Sequence, residues 1–186
     1  IVLIIGLTLM FVDVYVRLKD SEHRNISIVL IGTTILYVAM DCLWIVEYTS
    51  ETFDRNLFVV LNFLFYLLYI TLPYIWFLFA KHFAGSSIKD RKVNLLFAVP
   101  WLFNLILVIM TMIGPELLWS IGGPDNRYTR GPLFGLFTKV CLLYYFISVT
   151  GIAVLWITGK GSDRRTLRRT LGFALIPALG VFILSL

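Results

Sequence analysis

Long apolar runs separated by short charged segments dominate this chain. Six of them approach or reach the roughly 20 apolar residues that carry a helix across a bilayer: Ile1 to Val16, Ser27 to Tyr48, Asn56 to Ala80, Val93 to Ile113, Leu133 to Ile157 and Leu171 to Leu186. Strands of a membrane barrel alternate apolar and polar residues, whereas Leu57 to Leu72 and Leu95 to Met112 are almost continuously apolar. The pattern predicts an all-α polytopic transmembrane helix bundle, one domain over residues 1–186, with helices at about 1–16, 27–48, 56–80, 93–113, 133–157 and 171–186. The first and last runs are short and stand at the chain ends, as truncated helices would.

Composition strengthens this reading. With 59% hydrophobic and 15% charged residues, a soluble fold would expose large apolar patches, because a chain of this size buries no more than about 70% of its surface. The net charge of +5 does not point to nucleic acid, since the charges sit in short clusters between apolar runs and not on one basic face.

Those clusters report topology. Twelve of the sixteen Lys and Arg residues fall in three segments: Arg17, Lys19 and Arg24; Lys81, Lys89, Arg91 and Lys92; and Lys160, Arg164, Arg165, Arg168 and Arg169. The intervening loops hold Arg55, Arg127 and Arg130 among Glu47, Glu51, Asp54, Glu116 and Asp125. Basic loops remain in the cytoplasm, so the expectation is a multi-pass protein of the cell membrane with its N-terminus outside. Six crossings then leave Leu186 heading outward, and a seventh helix would return the chain to the cytoplasm. No basic n-region or cleavage site marks the start as a signal peptide.

Polar residues inside a membrane are costly and are functional candidates for that reason. On the second helix Tyr37, Asp41, Trp44 and Tyr48 follow one stripe at helical spacing, and on the third Asn62, Tyr66, Tyr69 and Pro73 do the same. The fourth adds Trp101 and Asn104. The fifth adds Lys139, roughly 9 Å below its outer end at 1.5 Å per residue.

Two readings of these residues stand side by side. Asp41 and Lys139 can form a structural salt bridge that fixes helix register. Alternatively Asp41, Trp44, Asn62, Tyr66, Asn104 and Lys139 line an outward-facing ligand pocket, with Tyr128 and Arg130 in a lid formed by the Gly- and Pro-punctuated loop Gly114 to Pro132. That loop can equally be a connector, and Tyr48, Trp119 and Tyr128 fit an interfacial aromatic belt.

Other chemistry finds little support. Cys42 and Cys141 stand in apolar runs without metal-site spacing, so no metal and no cofactor is expected. No nucleophile sits beside a base, and no paired carboxylates share a face, so this segment is not expected to be an enzyme. The sequon at Asn25 to Ser27 lies on the cytoplasmic side, and His23 and His82 are single loop histidines. No internal repeat is evident, which argues against a transporter built from two repeated halves.

Asp41-Cys42-Leu43-Trp44, Leu61-Asn62-Phe63 with Pro73-Tyr74-Ile75-Trp76, and Tyr128-Thr129-Arg130-Gly131-Pro132-Leu133 together resemble the N-terminal multi-helix sensor regions of bacterial GGDEF signalling proteins. The resemblance implies a membrane sensor of about seven helices followed by a cytoplasmic diguanylate cyclase, with related regions preceding histidine kinases. It implies signal reception and names no ligand. The expected function is therefore a sensory receptor domain that binds a small extracytoplasmic or membrane-borne molecule and regulates a cytoplasmic output. The rivals are a small-molecule or ion transporter and a passive anchor that localises or homodimerises its effector.

Overall fold

The computed structural model describes residues 21–50, 54–83, 91–122 and 127–158, together with Gly6, Thr8, Leu9, Val12 and Val16. Those five isolated positions are helical and exposed, and the rest of the expected helix at 1–16 lies outside the described residues. The expected helix at 171–186 and the basic loop at 160–169 lie outside the described residues. Four long helices follow one another as α1 (Ser21–Tyr48), α2 (Arg55–Phe83), α3 (Arg91–Ile113) and α4 (Phe134–Thr158), with strands β1 (Trp119–Gly122) and β2 (Arg127–Arg130) between α3 and α4.

Each helix contains a segment long and apolar enough to cross a membrane: Arg24–Tyr48, Arg55–His82, Asn94–Ile113 and Phe134–Thr158. These agree with the four middle runs of the sequence to within a few residues. Several of their hydroxyl side chains are satisfied inside the helix, as a lipid environment favours. The hydroxyls of Thr33, Thr34, Thr71, Thr111, Thr138 and Ser148 each donate to the carbonyl four residues earlier, at 2.7 to 3.0 Å. Pro73 and Pro100 lie within α2 and α3. Each removes one backbone donor without ending its helix.

The helix starts and joins are also legible in local chemistry. Asp54 caps α2, its Oδ1 accepting from the backbone N–H of Asn56 at 2.8 Å and of Leu57 at 3.3 Å. The Asp54 N–H in turn donates to Glu47 Oε1 at 2.8 Å, which fixes the turn from α1 into α2.

Helix α2 is the centre of the described bundle, packing on α1, α3 and α4, while α1 packs mainly on α2. One core at the hairpin end gathers Phe58, Tyr66, Ile70, Leu107, Val108, Phe137 and Cys141. A smaller cluster around Ala80 and Ile152 lies at the other end. There Lys81 Nζ donates to Asn94 Oδ1 at 2.8 Å, linking α2 to α3. The outer faces of α3 and α4 carry exposed Leu96, Val99, Ile106, Ile113, Phe146 and Ile157, the surface that lipid covers.

The segment between α3 and α4 is more ordered than its turn residues suggest. Strands β1 and β2 form an antiparallel hairpin in which Trp119 faces Arg130, Ser120 faces Thr129, Ile121 faces Tyr128 and Gly122 faces Arg127. A lone two-stranded hairpin is barely stable in water, and this one is tied down on several sides. Leu118 N–H donates to Thr111 Oγ1 at 3.2 Å, Arg55 Nη2 to the Ile121 carbonyl at 3.4 Å, and Gly131 N–H to the Leu118 carbonyl at 2.8 Å.

Candidate functional site

The pleat of the hairpin decides what this end of the bundle offers. Cross-strand partners share a face and neighbours along a strand alternate. Trp119, Ile121, Tyr128 and Arg130 therefore stand on one face, with Ser120 and Thr129 on the other, joined to each other by their hydroxyls at 2.6 Å. Leu118, Trp119 and Ile121 are buried in the core, with Trp119 stacked on Tyr66 at 4.6 Å between centroids. The interfacial-belt expectation for Trp119 and Tyr128 is thus corrected: the first is a core residue and the second faces a cavity. Tyr48 remains exposed, stacked beside Trp44 at 5.3 Å.

Under this hairpin lies a cavity of about 290 Å³. Helix α1 contributes Tyr37, Asp41 and Trp44; α2 contributes Asn62, Phe65, Tyr66 and Tyr69; β2 contributes Tyr128 and Arg130; and Phe134 closes the side at the start of α4. The two polar-aromatic stripes expected on neighbouring helices do converge. Helical spacing alone places Tyr37, Asp41 and Trp44 on one face of α1, and the close packing of α1 on α2 turns that face toward Asn62 and Tyr66.

Most polar atoms in the lining already have partners. Trp44 Nε1 donates to Asn62 Oδ1 at 3.0 Å, and Asn62 Nδ2 donates to the Phe58 carbonyl at 2.8 Å. Asn62 is fully buried and holds the two helices together as much as it lines the cavity. The hydroxyls of Tyr66 and Tyr128 hydrogen-bond each other, and Tyr128 meets Trp44 edge-on at 5.5 Å. Burial pushes the Tyr128 phenol above its ordinary pKa, against the opposing pull of the Tyr66 hydroxyl and of Arg130.

Two charged groups border the cavity. The half-buried Asp41 accepts no hydrogen bond and forms no ion pair among the described residues. Arg130 is exposed at the mouth, its guanidinium 4.7 Å from the centre of the Phe134 ring.

Two expected members stand elsewhere. Lys139 is exposed on α4 and does not line the cavity, so the anticipated pairing with Asp41 is absent. The sequence distance of Lys139 from the start of the helix matched its depth to that of Asp41, but depth does not fix direction around the helix axis. Asn104 is 1% exposed and directed into the interface of α3 with α4. Its Nδ2 donates to the Phe137 carbonyl at 3.2 Å and to Cys141 Sγ at 3.5 Å.

Sequence reasoning missed Phe65 and Phe134 as lining residues, because an isolated Phe in an apolar run carries no sign of its environment. Tyr37 and Tyr69 were visible in the stripes. Among the described residues no group of three or more His, Cys, Asp or Glu is placed to hold a metal ion.

Residues 1–186 match the family model described as the N-terminal 7TM region of histidine kinase. No curated protein and no solved structure matches the chain.

Proposed function

We propose, for a chain that belongs to the family of N-terminal 7TM regions of histidine kinases, that the cavity beneath the hairpin receives a small extracytoplasmic or membrane-borne molecule and that its occupation shifts helix packing toward one signalling state. Membership makes this a multi-pass membrane sensory region that resides in a lipid bilayer. Catalysis belongs to other parts of such kinases than the region matched here. The family is named for a histidine kinase output, where the resemblance to GGDEF sensor regions implies a cyclase.

The observation that carries the ligand reading is the Asp41 carboxylate, half-buried and without a protein counter-charge among the described residues, beside an aromatic-walled space of about 290 Å³. A site of this kind, mostly apolar with few polar groups, suits a small molecule. The hairpin joins the cavity to α2, α3 and α4 at once, so a ligand that lifts or tightens it biases the packing of three helices. A transporter that couples through Asp41 and Lys139 is not favoured by an arrangement in which Lys139 stands outside the cavity.

The orientation belongs to the same proposal. Lys81 and Lys92 mark one end of the α2 and α3 pair, and the hairpin marks the other. The positive-inside rule then puts the hairpin and the cavity mouth outside, with the N-terminus.

The test uses the full-length protein in membrane vesicles, reading autophosphorylation. Asn62→Leu fills the cavity floor and Tyr128→Ala removes part of its roof. A coupled cavity shifts the activity of at least one of them several-fold at equal expression. Wild-type activity in both would leave the passive anchor as the better reading.

A further inference from the structure

The chemistry of the cavity narrows the class of molecule it takes. This rests on the reading of the cavity as a binding site. Five rings, Tyr37, Trp44, Phe65, Tyr66 and Tyr69, form one continuous wall. Tyr37 stacks on Phe65 at 5.3 Å, Phe65 lies 6.4 Å from Trp44 and meets Tyr66 edge-on at 5.6 Å, and Tyr37 lies 6.2 Å from Tyr69. Asp41 stands on the same face of α1 between Tyr37 and Trp44, one turn from each.

The donors that an anion or a sugar would need are largely committed. Trp44 Nε1 is bound to Asn62, and the Tyr66 and Tyr128 hydroxyls are bound to each other. Arg130 lines the cavity from its exposed mouth, where its guanidinium rests on the Phe134 ring. What remains inside is the Asp41 carboxylate, the Tyr37 hydroxyl beside it and the negative faces of aromatic rings. A carboxylate removed from water is costly until a cation or a proton meets it, and ring quadrupoles attract the same cation.

We propose that the cavity is a cage for an organic cation: an ammonium group, primary or quaternary, that rests against Asp41 among Tyr37, Trp44 and Phe65, with its apolar body toward Tyr66 and Tyr69. The volume of about 290 Å³ suits a molecule of roughly ten non-hydrogen atoms, at about 30 Å³ for each water-sized unit of liquid. The ammonium can come from a soluble amine or from the headgroup of a membrane lipid.

Isothermal titration calorimetry on the full chain in maltoside micelles, with empty micelles subtracted, tests this with three compounds of nearly equal size. Benzyltrimethylammonium, its uncharged isostere neopentylbenzene, and phenylacetate differ chiefly in charge. The cation is expected to bind at least about tenfold more tightly than the uncharged compound, and phenylacetate most weakly. Asp41→Asn, which preserves shape, removes most of that preference. Phe65→Leu keeps the carboxylate and weakens the cation more than the uncharged compound. Adding phosphatidylethanolamine to the micelles separates the sources: competition with the probe assigns a lipid headgroup, and its absence assigns a soluble amine. Equal binding of cation and isostere, unchanged by Asp41→Asn, overturns the cationic preference and leaves the cavity reading intact. If none of the three binds at millimolar concentration, both fall.

Discussion

The Tyr66 and Tyr128 hydroxyls hydrogen-bond each other at the cavity, joining the middle of α2 to the second strand of the hairpin. Tyr66 is also stacked on Trp119 from the first strand. One residue of the central helix therefore contacts both strands and ties the hairpin to α2.

Removing either hydroxyl leaves the other without its partner in a largely buried place. Tyr66→Phe and Tyr128→Phe are each expected to cost about 1 kcal/mol of stability, while the double substitution costs clearly less than the sum. Thermal unfolding in detergent reads this. Two losses that add would mean that the hydroxyls are not coupled.

Gly131 is where the chain returning from the hairpin crosses the segment leaving α3. A Cβ at this position would lie 2.6 Å from the Glu116 carbonyl oxygen and closer still to that of Leu117. Both are backbone atoms that cannot turn aside. Gly131→Ala should destabilise by roughly 1 to 3 kcal/mol, whereas Gly135→Ala, with nothing near its added carbon, should be neutral or slightly stabilising. Equal melting temperatures for the two variants would contradict this account of the crossing.

Asp41 and Lys139 are not paired, so their removal should not be coupled. Asp41→Asn and Lys139→Gln are expected to add within about 0.5 kcal/mol in a double-mutant cycle of detergent unfolding. A coupling well beyond that would restore the salt bridge that the sequence alone allows.

Orientation can be read by chemical labelling. In a background lacking Cys42 and Cys141, cysteines placed at Ser50 and Asn126 should react with an impermeant maleimide in intact cells, and one at Ser162 should not. Ser50 lies between α1 and α2 at the hairpin end, while Asn126 and Ser162 fall outside the described residues. Labelling of Ser162 would invert the topology.

The sequence by itself determined the four described spans, and it did so through length and apolarity. Lipid has no polar partners for a backbone, so each apolar run of sufficient length must satisfy its own hydrogen bonds as a helix. The stripes of Tyr37, Asp41 and Trp44 and of Asn62, Tyr66 and Tyr69 were equally legible, because helical spacing fixes which residues share a face.

Only the tertiary structure decided where those faces point. A helix apolar all round gives no signal of its rotation, so Asn104 could be directed to Phe137 and Cys141, and Lys139 to the surface, without any trace in the local pattern. The hairpin was hidden for a related reason. Its four-residue strands are short and their turn residues are those of any loop, and what orders them is distant: Thr111 of α3, Arg55 and Tyr66 of α2, and the closeness of Leu117 to Gly131. A membrane fixes the form of each helix before it meets another, whereas the cavity exists only through contacts among residues far apart in the chain.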